Sequence, residues 1–188
     1  MSGNPYLDIA ALVAFHDGLG RPAEGAPWRD IEENHRRNAS LWDEEDLARR
    51  RGVPDAEIVA NKRAIDAHNQ ARNDAMERID VALLERIAGA SNDRARLHSE
   101  TAGMMVDRLS ILALKVRAMR AQSVRTEALE AHRAACREKL ARLEAQRSDL
   151  AACLDALLAD CAAGRARFRI YRQFKMYNDP AFNPHLER

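Results

Sequence analysis

Polar side chains that could do chemistry recur on one face of a long predicted helix, residues 55–90. At 100° per residue, six of them fall within an arc of roughly 80°. These are Lys62, Asp66, Asn69, Asn73, Glu77 and Asp80. Ile65, Met76 and Leu83 lie directly beside this arc, and Arg72 lies on the same apolar flank. The sequence therefore predicts carboxylates and amides along the edge of the core.

A second predicted helix, residues 103–122, carries cations within an apolar face. Arg108 and Lys115 are seven residues apart and point to the middle of that face, with Asp107 at its edge. A charge in apolar surroundings is costly unless it is paired. The predicted partners are the acids of the first helix, namely Asp66, Glu77 and Asp80.

Two interpretations account for this cluster. A structural ion-pair network would fix the register of the two helices, and for a single buried pair it would be the better explanation. This cluster also contains amides and several acids, and apolar residues would stabilise such positions as well or better. Retention of so many polar groups favours a ligand pocket.

Two flanking segments supply further candidates. In LHSET, Ser99 or Thr101 can cap the helix that follows, and Glu100 sits near its positive end. His98 beside Glu100 is suited to act as an acid or a base. Upstream, a helix over residues 27–51 presents charged residues that would either reach the pocket or form a solvated surface: Asp43, Glu45, Asp46 and Arg49.

The elements that must position these residues are predicted to be helices throughout. Only 8 Gly and 6 Pro punctuate 188 residues rich in Ala, Leu, Glu and Arg, a composition that favours helix over sheet. Helices are predicted over residues 5–19, 27–51, 55–90, 103–122 and 126–163. The prediction is an all-α, single-domain antiparallel helical bundle over residues 1–188, with its core in residues 27–163.

The predicted tail, residues 164–188, is basic and aromatic. Its cations alternate with Phe and Tyr, a pattern that can bind phosphate or single-stranded nucleic acid. Because the net charge of the chain is only +1, nucleic acid is not the expected partner. The tail is predicted to pack its aromatic rings on the bundle and to offer cations to an anionic ligand.

The last long helix repeats an apolar position every seven residues, at Leu129, Cys136, Leu143, Leu150 and Leu157. This seam is typical of a bundle helix and offers a homodimer interface as a secondary prediction. The three cysteines fit no zinc motif or disulfide framework. With no signal peptide or membrane-spanning run recognised, the predicted location is the cytoplasm.

Four segments resemble an uncharacterised bacterial family catalogued as domain of unknown function 4254: LWDEEDLAR, KRAIDAHNQARNDAMERID, LHSETAGMMVDRLSILALK and YRQFKMYNDPAFNP. The resemblance covers about Asn34 to Pro184, with Ala102 where the family's Pro is expected. It implies a helical fold, a function not assigned for the family, and genes that accompany glycosyltransferases or other biosynthetic enzymes. The motif positions it implies include Trp42 and much of the polar arc.

The first functional hypothesis is an enzyme of sugar, nucleotide or secondary-metabolite biosynthesis that acts on a small anionic substrate. The candidate substrate-binding residues are Lys62, Asp66, Asn69, Gln70, Arg72, Asn73, Asp107, Arg108, Lys115, Lys175 and Asn178. The candidate catalytic residues, which would move protons, are Glu77, Asp80, Glu100 and His98. The run RNDAMERIDVALL is faintly similar to the opening helix of chorismate mutases, whose helical pockets hold a dicarboxylate.

Two alternatives stay open. Glu77 and Asp80 have the i, i+3 spacing that all-helical nucleotide pyrophosphohydrolases use for Mg²⁺, with Asp43 and Asp46 as an imperfect second pair. Abundant cations nearby weaken this version, so no cofactor is expected and Mg²⁺ is the one left open. The other alternative is a non-catalytic helical assembly partner of a biosynthetic enzyme such as a glycosyltransferase.

Overall fold

The computed structural model describes residues 4–20, 24–87, 93–173, 176 and 179–186. Within these residues the chain forms five α helices, a two-stranded parallel pairing and a short 3₁₀ helix, Pro184–Leu186. The helices are α1 Ile9–His16, α2 Trp28–Leu47, α3 Asp55–Ile87, α4 Ala102–Ser123 and α5 Glu130–Ala162. The strands are β1 Arg96–Leu97 and β2 Ala166–Arg167. The predicted all-α bundle is confirmed.

The helix ends follow the local signals in the sequence. Between α2 and α3, Gly52 adopts a φ of 75°, a left-handed conformation that glycine tolerates, and α3 begins at Asp55 as predicted. Thr101 caps α4, since its hydroxyl accepts the Met104 N–H at 3.2 Å. α1 begins later than predicted because the Asp8 side chain accepts the Ala11 N–H at 2.9 Å.

The helices pack in pairs around α4. Helix α2 packs along α3, and α4 along α5, while α4 also contacts α1, α2 and α3. Large side chains from every helix are completely enclosed at their shared centre, including Leu12, Ile31, Ile79, Leu83, Leu109, Leu154 and Leu158. Helix α4 is therefore the central helix of the bundle.

The heptad seam of α5 is used mainly inside the chain. Cys136, Leu150 and Leu157 are buried and Leu143 is half-buried, whereas Leu129 is 81% exposed. The seam thus packs α5 onto its own bundle over most of its length. The homodimer through this seam stays a prediction.

The start of the C-terminal tail is tied to the connector between α3 and α4. Strands β1 and β2 pair in parallel, with Arg96 opposite Ala166 and Leu97 opposite Arg167. Phe168 is buried in the core, whereas Tyr171 is exposed. Among the described residues, no helix combines the length and the apolar character needed to cross a membrane.

Candidate functional site

A buried polar network joins α2 to α4. Asn34 donates from its amide to Asp107 Oδ1 at 2.9 Å, and Asn38 donates to the same oxygen at 3.0 Å. The Asn38 amide also lies 3.1 Å from Ser110 Oγ. Asn34, Asn38 and Ser110 are almost completely enclosed. The carboxylate of Asp107 is therefore buried with hydrogen-bond donors from two turns of α2, as a buried charge requires.

Arg72 of α3 supplies the countercharge. Its Nε lies 3.8 Å from Asp107 Oδ1, within ion-pair range but too long for a hydrogen bond. The ion pair with Asp107 thus holds Arg72 beside α4, while the N–H groups of the guanidinium are not used in hydrogen bonds to Asp107. Among the described residues, Arg72 has no hydrogen bond to another side chain.

Arg72 opens into a cleft between α2, α3 and α4, which we call the central cleft. Its cavity volume is about 360 Å³. The residues that line it are Asn38, Leu41, Trp42, Glu45, Asp46, Arg49, Asn69, Arg72, Ile111, Leu114 and Lys115. This set combines two amides, three cations and two acids with an aromatic and aliphatic wall, which is the composition of a small-molecule site.

Several polar side chains of the central cleft have no protein partner. Within the part of the chain that the structure describes, the side chains of Asp46, Asn69 and Lys115 make no hydrogen bond or ion pair. Glu45 and Arg49 differ, since they pair with each other at 2.6 Å. The unpaired groups come from three different helices and are available to a ligand.

The central cleft gathers part of the predicted site. Of the predicted substrate-binding residues, it brings together Asn69, Arg72 and Lys115, and Asp107 lies directly behind Arg72. The charged residues of α2 that reach this cleft are Glu45, Asp46 and Arg49. Asp43 is exposed.

The predicted pairing of the α4 cations with α3 acids is wrong. Arg108 Nη1 lies 2.5 Å from Glu100 Oε1, and both Arg108 and Lys115 are exposed. The physical reason is the central position of α4, which buries most of its circumference. A narrow exposed stripe, which includes Arg108 and Lys115, runs through the face that the apolar pattern marked as buried.

A second cavity, of about 550 Å³, brings together three other predicted residues. His98, Glu100 and Arg108 line it with Met105 and the α5 face around Gln146. His98 Nδ1 lies 2.7 Å from the Glu100 carbonyl oxygen. These residues do not line the central cleft, so the sequence cluster is divided between two cavities.

Asp80 connects α3 to the first turn of α4. It is 2% exposed, and its two oxygens accept the Thr101 hydroxyl and the Gly103 N–H, each at 2.6 Å. Burial raises its pKa to about 6, while these hydrogen bonds act to lower it and the charge of Glu77 to raise it. Asp80 was predicted to be catalytic, but its side chain is enclosed and both of its oxygens accept hydrogen bonds from the start of α4.

Asn73 and Glu77 hold the C-terminal segment against α3. Asn73 donates to Gln173 Oε1 at 2.7 Å, and Glu77 Oε1 accepts the Gln173 N–H at 3.1 Å. Both side chains of the predicted site therefore contact the tail. Of the predicted tail residues, Lys175 and Asn178 lie outside the described residues.

The remaining predicted binding residues lie on the surface. Lys62 and Asp66 are exposed and pair with each other, and Gln70 donates to Asp74 at 2.7 Å. The single polar arc of α3 is thus distributed over three environments. This follows from the length of α3, which extends beyond the region covered by its neighbours.

Sequence reasoning missed the amides that organise the site. Asn34 and Asn38 occupy the stripe formed by Ile31 and Leu41, at helical spacing, where apolar residues are expected. Two amides within an apolar stripe are the sequence feature that could have indicated a buried polar network on α2. Ser110, which supplies the α4 hydroxyl of this network, is also fully buried.

A histidine pair adjoins the same network. His35 Nδ1 lies 2.8 Å from Ser110 Oγ, and the rings of His16 and His35 stack with centroids 4.8 Å apart. Within the described part of the chain, neither ring nitrogen of His16 has a hydrogen-bond partner. Burial, then the charges of His35 and Arg147, lower the pKa of His16 to about 3. Burial and the charge of Arg117 also lower the pKa of His35, against the charge of Asp17.

The acidic groups of the pyrophosphohydrolase alternative are not assembled as a metal centre. Among the described residues, no three His, Cys, Asp or Glu side chains are grouped in a way that would hold a metal ion. Glu77 and Asp80 are engaged with Gln173 and with the start of α4. The geometry therefore lends that alternative no support.

Comparison with known proteins identifies the family. No curated protein and no solved structure matches the chain significantly. A family model described as "Protein of unknown function (DUF4254)" matches residues 28–170, which include α2 to α5 and every residue of the central cleft. The match ends before the segment YRQFKMYNDPAFNP. The predicted resemblance is thereby confirmed, and the chain belongs to the DUF4254 family.

Proposed function

We propose that the chain is an enzyme of sugar, nucleotide or secondary-metabolite biosynthesis that binds a small substrate bearing a phosphate or carboxylate in the central cleft. One observation carries this proposal. Arg72 of α3 and Lys115 of α4 line the same cleft, and neither is hydrogen-bonded to an acid among the described residues. An anionic ligand group would supply a hydrogen-bond acceptor to both cations.

Arg72 is suited to bind the anionic group directly. Asp107 lies 3.8 Å from its Nε and offsets its charge without accepting a hydrogen bond. The planar guanidinium remains free to form two parallel hydrogen bonds with a phosphate or carboxylate. Lys115 adds a mobile point charge from the neighbouring helix, and Asn69, whose amide has no partner among the described residues, would orient the rest of the ligand.

Asp46 is the group we assign to proton transfer. It lines the central cleft from α2, and its carboxylate has no partner among the described residues. A carboxylate close to a bound substrate can accept or return a proton during catalysis. Asp46 thus takes the role that the sequence assigned to Glu77, Asp80, Glu100 and His98, none of which lines the central cleft.

All three cysteines, Cys136, Cys153 and Cys161, are free thiols. Free thiols are typical of a reducing compartment, which supports the proposed cytoplasmic location.

The first experiment is a thermal-shift screen against nucleotides, sugar phosphates and carboxylate metabolites. A ligand at 100 times its Kd stabilises the folded state by about 2.7 kcal/mol, which raises the melting temperature. The replacements Arg72→Gln and Lys115→Gln should each reduce the affinity by about tenfold or more, because each removes a charge-assisted contact.

Arg63→Gln is the matched control, since Arg63 is an exposed cation on α3 that does not line the central cleft. It should leave ligand affinity unchanged. If no small anion raises the melting temperature, or if the Arg63 variant loses as much affinity as the Arg72 variant, the central cleft is not an anion site.

A further inference from the structure

A larger groove lies next to the central cleft and has no role in the proposal above. It runs between α4 and α5 and has a cavity volume of about 720 Å³. We call it the apolar groove, because its walls are largely apolar. The apolar residues that line it are Trp42, Ala118, Met119, Ala121 and Leu143. An open apolar depression of this size on a small bundle indicates a binding surface.

The apolar groove and the central cleft share part of their lining. Trp42, Asp46 and Lys115 line both. Along α4, the combined lining extends from Ile111 in the central cleft to Gln122 in the apolar groove. At 1.5 Å per residue, this is a length of about 16 Å. A single elongated ligand would therefore contact both cavities.

The charges around the apolar groove favour an anion at the junction. Lys115 and Lys139 line the groove and have no ion-pair partner within the described part of the chain. Arg142, which also lines it, pairs with Glu138. Asp46 is the acid in the lining. Positive charge thus surrounds an apolar surface that adjoins Arg72.

We propose that the substrate is an amphiphilic anion, whose phosphate or carboxylate binds at Arg72 and Lys115 and whose hydrocarbon chain lies in the apolar groove. This inference rests on the proposed function, because it places the anionic group in the central cleft. It adds the chemical class of the substrate, an alkyl or acyl compound with one anionic end.

The test is isothermal titration calorimetry of the full chain with butyl, hexyl and octyl phosphate, each below its micelle-forming concentration. Burial of a methylene contributes about 0.8 kcal/mol, which corresponds to about fourfold in affinity. Because the apolar groove is open on one side, the expected gain is about twofold to fourfold per methylene. Equal affinity along the series would overturn the inference.

Ala118→Trp tests the location of the chain, because the indole would fill the apolar groove. This variant should bind butyl phosphate normally and lose the dependence on chain length. Ala135→Trp is the matched control, since Ala135 is an exposed alanine of α5 that does not line the groove. Loss of chain-length dependence in the control alone, or in neither variant, would place the chain elsewhere.

A second readout uses the unaltered protein, in case Ala118→Trp fails to fold. Of the two tryptophans, Trp28 is buried in the core and Trp42 lines the apolar groove. Octyl phosphate should shift the fluorescence emission to shorter wavelength by more than butyl phosphate does. Equal shifts for the two ligands would count against a chain in the groove.

Two outcomes separate this inference from the proposed function. If butyl phosphate binds and Arg72→Gln removes that binding, but chain length has no effect, the anion site stands and the groove does not hold the chain. If no alkyl phosphate binds but a nucleotide, sugar phosphate or carboxylate metabolite raises the melting temperature, only this inference fails. If none of these anions binds, both proposals fail. A dimer of the 21.1 kDa chain by light scattering that Ala118→Trp dissociates would assign the groove to a second copy and overturn the inference.

Discussion

At the scale of single residues, His16 is a buried histidine whose two ring nitrogens have no hydrogen-bond partner among the described residues. Its ring stacks on His35 inside the bundle. Asp17 and Arg147 lie nearby as an ion pair, and Arg117 lowers the pKa of His35 from the side of α4. Because burial lowers the pKa of His16 to about 3, the ring is neutral in the folded state at neutral pH.

This lowered pKa predicts a loss of stability in acid. In the unfolded chain, His16 takes up a proton as the pH falls below the ordinary histidine pKa of 6.5, whereas the folded residue does so only near 3. Its contribution is therefore complete above 6.5 and declines by about 1.4 kcal/mol per pH unit as the pH falls below that value. Urea unfolding of the wild type and His16→Phe, between about pH 5 and pH 7, measures this slope.

The replacement should remove the slope that belongs to His16. Asp80 acts in the opposite direction, since its raised pKa of about 6 makes its contribution more favourable as the pH falls towards 3.8. The contribution of His16 is therefore the difference between the free energies of unfolding of the wild type and the variant at each pH. His185→Phe, at an exposed position, should behave as the wild type. Parallel pH profiles for wild type and His16→Phe would contradict the assignment.

At the scale of elements, the crossing of α3 and α4 depends on Gly103 and Asp80. A Cβ at Gly103 would lie 2.9 Å from Asp80 Oδ1 and closer still to the Met76 carbonyl oxygen. The backbone of α4 thus approaches α3 to a distance that only glycine permits. This approach brings the Gly103 N–H to Asp80. It thereby fixes the position of α4 along α3, and with it the positions of Asp107 and Lys115.

Gly103→Ala should therefore destabilise the fold. The added methyl group would separate α3 from α4 and weaken the Asp80 hydrogen bonds, at a cost of about 1–3 kcal/mol for overpacking. Gly20→Ala is the control, because a Cβ there has no atom within 4 Å and the backbone has no positive φ. Urea midpoints measure the effect, and equal midpoints for the two variants would show that the crossing tolerates a methyl group.

At the scale of the whole molecule, the C-terminal segment joins the two helical pairs. After α5 it pairs with the α3–α4 connector through β1 and β2, buries Phe168 at 4% exposure, and reaches Asn73 and Glu77 through Gln173. The segment therefore belongs to the packed structure at least as far as residue 173. The basic and aromatic pattern of the tail predicted this packing in part.

Phe168→Ala should destabilise the whole bundle, because large core truncations of this kind cost about 3–5 kcal/mol. Tyr171→Ala, at a position that is 65% exposed, should change the free energy of unfolding by less than about 0.5 kcal/mol. Chemical denaturation of the two variants measures both values. A Phe168 variant as stable as the Tyr171 variant would mean that the segment contributes little to the fold.

How much could be predicted differs between the fold and the site. Helix identity, the all-α class and the breaks at Gly52 and Gly164 depend on neighbouring residues, so the sequence alone determined them. Sequence also determined that α3 and α4 bring charged and amide groups to the bundle. Arg72, Asn69 and Lys115, which line the central cleft, were among the residues it selected.

Only the tertiary structure decided which of these groups meet. A helical wheel gives the angle of a residue around its own axis, but not which directions the neighbouring helices cover. Because α4 lies at the centre, Arg108 and Lys115 fall on its narrow exposed stripe, while Asp107 and Ser110 are buried against α2. The long polar arc of α3 is likewise divided by coverage, so that Asp80 joins helices and Arg72 faces the cleft.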